Sequence, residues 1–184
     1  MWIKELTHEL QQIKEFVSEE FSQLNEEALL WKPSSNSWSI AECLKHIVIA
    51  NTLYLEDIQK QLEKAEVRTI EHPIKLSLMG RVFLLFVDPK YTWKVKAPNI
   101  FKPIKGHKVT NGKQVLDDYL KLQDDLIKVA VKAAGYDHAN IYITSPLSKL
   151  LRFNIGEQLF IMMRHEKRHL NQAGTVKSKF NQLI

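Results

Sequence analysis

Ile3, Leu6, Leu10, Ile13, Val17, Phe21 and Leu24 recur at steps of three and four. Such steps return to one side of a 3.6-residue helix, so they draw a single apolar stripe that must be buried against another element. The stripe predicts a first helix over 3–29, broken by the turn formers Lys32-Pro33-Ser34-Ser35-Asn36. A second begins at Ser39-Ile40-Ala41-Glu42, where the hydroxyl and the carboxylate three residues on can satisfy each other's free backbone donors. It continues through Ile40, Leu44, Ile47, Val48, Asn51, Leu55, Ile58 and Leu62 to about residue 64.

Two further helices follow. The third, from Lys113 to about Ala134, carries Leu116, Tyr119, Leu120, Leu126, Ile127, Ala130 and Ala133 and stops at Gly135, a residue suited to a left-handed cap. The fourth opens on the capping pair Asn154 and Glu157 and runs through Leu159, Met162, His165 and His169 to about Ala173, before Gly174. Between the second and third lies a connection over 65–113, divided by Pro73, Pro89, Pro98 and Pro103, with one apolar piece at 74–87 fit for a short helix. A connection this long is often functional, and it lets the second and third helices run parallel, which a short turn would forbid. The fold expected is all-α, a four-helix bundle filling a single domain over 1–184, with no run of strand period.

Composition excludes several classes. With 45% apolar and 26% charged residues the chain sits near the globular average, and no segment approaches the roughly 18–20 unbroken apolar residues of a membrane span. The start, MWIKELTHELQQIKEF, lacks the features of a secretory signal and points to the cytoplasm. Cys43, the one cysteine, cannot form an internal disulfide, and its apolar helical setting favours a small core residue over a reactive thiol.

The net charge of +5 is uneven. No acid occurs between Asp88 and Asp117, where Lys90, Lys94, Lys96, Lys102, Lys105, Lys108 and Lys113 are interleaved with Tyr91, Trp93 and Phe101. Such a stretch can hold an anionic small molecule or nucleic acid, yet no nucleic-acid module surrounds it, so a solvated loop is favoured over a nucleic-acid partner.

Of the seven histidines, His8, His72, His107 and His138 have no partner at ligand spacing and read as surface residues. His165 and His169 stand four apart, one above the other on a helix, where two imidazoles can face a common ion. They belong to His165-Glu166-Lys167-Arg168-His169, the HExxH of zinc peptidases, in which the glutamate is the base and a third ligand follows. Here the remaining LNQAGTVKSKFNQLI holds no His, Asp or Glu, which removes the peptidase reading. The third ligand must come from upstream, and His46, on the apolar second helix, is the candidate, since metal sites in bundles are built from facing helices. Lys167 and Arg168 favour an exposed, salt-bridged Glu166 over an acid or base beside the metal. Gln172, one turn beyond His169, either orients a ligand or water or packs between helices.

Leu30-Trp31-Lys32-Pro33, then Trp38-Ser39-Ile40-Ala41-Glu42-Cys43-Leu44-Lys45-His46-Ile47, followed far downstream by His165-Glu166-Lys167-Arg168-His169 with Gln172, resembles the DinB-like (YfiT-like) superfamily of metal-binding bundles. The resemblance covers both ends of the chain, while 65–153 carries nothing diagnostic. It implies an up-down-down-up helix order and one divalent cation, commonly zinc or nickel, on His46, His165 and His169 with water in the open positions. It also implies a frequent homodimer. Several proteins of this kind are S-transferases or isomerases using a low-molecular-weight thiol, and others were labelled metal-dependent hydrolases.

Three neutral imidazoles leave a cation its full charge and an exchangeable position, the pattern of a catalytic site. The leading expectation is therefore metal-dependent transfer of a small thiol to a small electrophilic substrate. Hydrolysis by the same fold, and a metal that only stabilises a binding protein, are the alternatives.

Overall fold

A computed structural model of the chain describes residues 2–70, 73–90 and 109–183. Four long helices, α1 (Trp2–Phe21), α3 (Ile40–Lys64), α5 (Gly112–Ala133) and α6 (Ile155–Asn181), form the bundle. Two short helices, α2 (Glu26–Leu30) and α4 (Leu78–Val87), and a hairpin of β1 (Tyr142–Thr144) and β2 (Arg152–Asn154) complete the fold.

Side-chain pairs fix the helix directions. Glu9 meets Lys167 and Glu20 meets Lys177, so positions on α1 and α6 rise together and these helices are parallel. Lys14 pairs with Asp124 while Lys113 donates to the Ser22 carbonyl, so α5 runs against α1. The His46 ring packs on His169, but Tyr54 and Asp57 bond Ser145 and Thr144, which precede α6, so α3 runs against α6. The order is up-down-down-up, with α3 and α5 parallel as the long connection allows.

α3 packs on both α5 and α6, and α1 closes the square against the same two helices. The predicted stripe of α1 is buried at Leu6, Leu10, Ile13, Val17 and Phe21. The same core takes in Ile40, Leu44, Ile47, Ile58 and Leu62 of α3. Each such side chain contributes roughly 1.5–3 kcal/mol by leaving water. Cys43 is fully buried among them, and burial pushes its thiol far above the ordinary range, as suits an inert core residue.

The capping box of α3 is present: Ser39 Oγ accepts from Glu42 N at 3.1 Å and Glu42 Oε2 from Ser39 N at 2.9 Å. At α6 only half of the expected pair forms. Asn154 Oδ1 accepts from Glu157 N at 2.8 Å, but the Glu157 carboxylate turns away to Ser77, accepting from its N and Oγ at 2.6 and 2.8 Å. It thereby anchors the start of α4, where Gly80 lies so close that an added Cβ would stand 1.9 Å from Glu157 Oε1.

Several boundaries differ from expectation. The first helix stops at Phe21, and Asn25 starts α2 by accepting from Ala28 N, because an Asx cap competes with helix continuation. The short helix begins at Leu78 rather than 74, N-capped by Ser77. Gly135 is not left-handed; α5 ends in tight bonds of Ala134 and Gly135 N–H groups to the Val131 and Lys132 carbonyls. Gly174 does not end α6, which continues to Asn181 because Val176 is buried and Lys177 pairs with Glu20. The hairpin was unexpected. Its pairing of Ile143 with Phe153 places both in the core, while Tyr142 and Thr144 face out.

Gly174 sits in mid-helix with open space where a Cβ would stand. Gly174→Ala is therefore expected to stabilise the protein by about 0.5–1 kcal/mol, read as a Tm rise of roughly 1–4 °C in thermal unfolding. A fall in Tm would contradict the unstrained helical placement.

Candidate metal centre

The capping box sets where α3 starts, and His46 follows two turns later on the face turned to α6. His165 and His169 rise one turn apart on the facing side of α6. The three ring nitrogens converge: His165 Nε2 is 3.2 Å from His46 Nε2 and 3.1 Å from His169 Nε2. The ring centroids lie 5.1, 4.4 and 4.6 Å apart, each pair edge-on. Two imidazole nitrogens at about 2.0–2.1 Å from one tetrahedral ion stand roughly 3.4 Å apart, so three nitrogens at these spacings could hold one metal ion.

The surroundings hold His165 and His169 in their neutral form. Burial, then the charges of His169, His46 and Arg168, holds His165 well below the usual imidazole range. Burial, then His46, pulls His169 down to about 3 against the hydrogen bond of Gln172. Neutral imidazoles expose lone pairs, the form a metal needs. Gln172 Oε1 lies 3.2 Å from His169 Nδ1, where it accepts that N–H and leaves the Nε2 lone pair for the centre. Gln172, whose spacing allows either orienting a ligand or packing between helices, lies against a histidine on an exposed turn. Trp38, which was not anticipated in a role, stacks on His169 at 5.6 Å and 23° and packs on His46 at 5.0 Å.

Glu166 corrects an expectation. It is not exposed and salt-bridged but fully buried, one residue round the helix from His165. Its carboxylate accepts from Asn51 Nδ2 at 2.5 Å, Gln123 Nε2 at 2.7 Å and the Tyr119 hydroxyl at 3.4 Å. Burial outweighs these bonds and raises its pKa to about 8. The carboxylate is outside the 4.8 Å cluster of His46, His165 and His169. Lys167 and Arg168 serve other partners: Lys167 pairs with Glu9, and Arg168 Nη1 donates to the Asp88 carbonyl at 3.2 Å. Asn51 carried the available signal, since an amide inside an apolar stripe requires a buried partner.

The folded state keeps the Glu166 proton to about pH 8, whereas an unfolded chain loses it near 4.5. The wild type therefore loses stability from this group as pH rises across that window. Glu166→Gln removes the loss, so the Tm difference in favour of the variant should widen from pH 5 to pH 8; a constant difference would contradict the buried carboxyl.

His138 also departs from its surface reading, being buried with its ring 4.0 Å from that of Trp2 and tight against Gly156. His8 is exposed as expected, and His72 and His107 lie outside the described residues. So does most of the basic stretch. Of its lysines only Lys90 and Lys113 are described, and Lys113 Nζ donates to the Ser22 carbonyl at 2.7 Å. A cavity of about 740 Å³ lined by Trp2, Ile74, Phe160, Met163 and Lys167 includes none of the three histidines. Among the described residues no helix is long and apolar enough to cross a membrane.

The family model of the DinB superfamily matches residues 9–173. The uncharacterized protein YuaE of Bacillus subtilis (strain 168) is 24% identical over 161 residues, covering 87% of this chain and 90% of its own. No solved structure matches the chain.

Proposed function

The chain belongs to the DinB superfamily, and from that premise we propose that it is a cytoplasmic metal-dependent S-transferase, delivering a low-molecular-weight thiol to a small electrophile. His46, His165 and His169 would hold the ion, zinc or nickel, through Nε2. When bound, a divalent cation supplies an open position that ionises a thiol outright or lowers the pKa of water to about 7. Gln172 keeps His169 in the ligating tautomer, and Trp38 shields two of the rings.

The observation that carries this reading is the placement of Glu166. The carboxylate that would activate water in an HExxH peptidase is turned into the core, which leaves the activation of a nucleophile to the ion; a thiol probe at the ion distinguishes transfer from hydrolysis. The expected homodimer has a surface in the exposed apolar side chains Leu78, Met79, Val82 and Phe86 of α4.

The test is optical. In the cobalt-loaded protein, adding cysteine or glutathione should produce a thiolate-to-cobalt charge-transfer band; an unchanged spectrum at saturating thiol removes the S-transferase reading.

A further inference from the structure

Coordination demands positions accurate to about 0.2 Å, whereas the apolar seam between α3 and α6 is non-directional and tolerates sliding. The ligands straddle that seam, His46 on one side and His165 and His169 on the other. Something directional must hold the two helices in one register.

The same two helices are cross-linked a second time. Asn51 lies five residues beyond His46 on α3, about 7.5 Å along the axis, and its Nδ2 donates to Glu166 Oε1 at 2.5 Å, immediately after His165. α5, which supplies no metal ligand, joins through Gln123 Nε2 at 2.7 Å and the Tyr119 hydroxyl at 3.4 Å, with Gln123 also donating to Tyr119 at 3.1 Å. Asn51, Tyr119, Gln123 and Glu166 are all at most 1% exposed. A slide of α6 by one turn, about 5.4 Å, would strand every one of these groups without water or partner, whereas leucines would find new neighbours.

We propose that the buried cluster of Asn51, Gln123 and Glu166 is a registry lock that positions His46 against His165 and His169. These are positioning residues; none touches the ion. The cluster costs stability that apolar packing would not, as buried polar groups commonly do, and returns geometric precision at the metal. The inference rests on the three-histidine metal reading.

The test separates folding from positioning by measuring apo-protein Tm and cobalt affinity, the latter by chelator competition, in the wild type and in Asn51→Leu/Tyr119→Phe/Gln123→Leu/Glu166→Met, where Tyr119→Phe removes the hydroxyl that the other changes would strand. The quadruple variant should keep a Tm near or above the wild type while its cobalt affinity falls roughly 10-fold or more, the scale of outer contacts around metal ligands. A second pair guards against misfolding. Asn51→Leu alone should weaken cobalt binding, and the exchanged pair Asn51→Asp/Glu166→Gln, which restores an amide-to-carboxylate bond across the seam, should recover it. Folded variants with unchanged cobalt affinity, or an exchanged pair no better than Asn51→Leu, would overturn the lock. Absence of cobalt binding by the wild type would instead overturn the metal site itself.

Discussion

Glu166→Ala should lower the Tm by roughly 10 °C. The deletion leaves Asn51 Nδ2 and Gln123 Nε2 facing a void at positions at most 1% exposed, and it removes the acceptor of the Tyr119 hydroxyl. Stranding buried donors costs about 1–3 kcal/mol each, and breaking a buried polar cluster from one side commonly costs about 3–5 kcal/mol. For a domain of this size each kcal/mol moves the midpoint by roughly 2–4 °C. The half-exposed pair of Glu9 and Lys167 is the control, since Glu9→Ala should shift the Tm by less than about 1 kcal/mol allows. Thermal unfolding of both variants beside the wild type decides it; equal small shifts would mean that Glu166 is solvated.

The same residue shows where a sequence is hard to read. Lys167 and Arg168 beside Glu166 suggested an exposed ion pair, but neighbours along a helix point in different directions, and Glu166 falls on the core side. The stripes, the Ser39 cap and the convergence of His46 with His165 and His169 were legible because each rests on spacing along one helix or on a motif. Helix ends were not, since tertiary contacts decide them: Val176 and Lys177 carry α6 past Gly174, and Asn25 divides what one stripe joined. The hairpin's three-residue strands are too short for a period to show. His138 had no local signal for its burial against Trp2 and Gly156.

His165→Ala is expected to abolish stoichiometric metal binding. Its Nε2 is the member within 3.1–3.2 Å of both others, so its loss leaves two imidazoles across the seam with no bridging ligand. Structural zinc sites bind with about 10–16 kcal/mol shared among roughly four ligands, so one imidazole accounts for a factor of 10² or more in affinity. Stripping the metal from the wild type should in turn lower its Tm, since an ion present at about 1,000 times its Kd adds roughly 4 kcal/mol to the folded state.

The most direct measurement is metal content of the purified protein beside His46→Ala and His165→Ala, by elemental analysis of the three proteins prepared identically. One equivalent of a transition metal in the wild type and a small fraction of it in both variants is the predicted result. Equal metal content in all three, with each protein folded, would contradict the site.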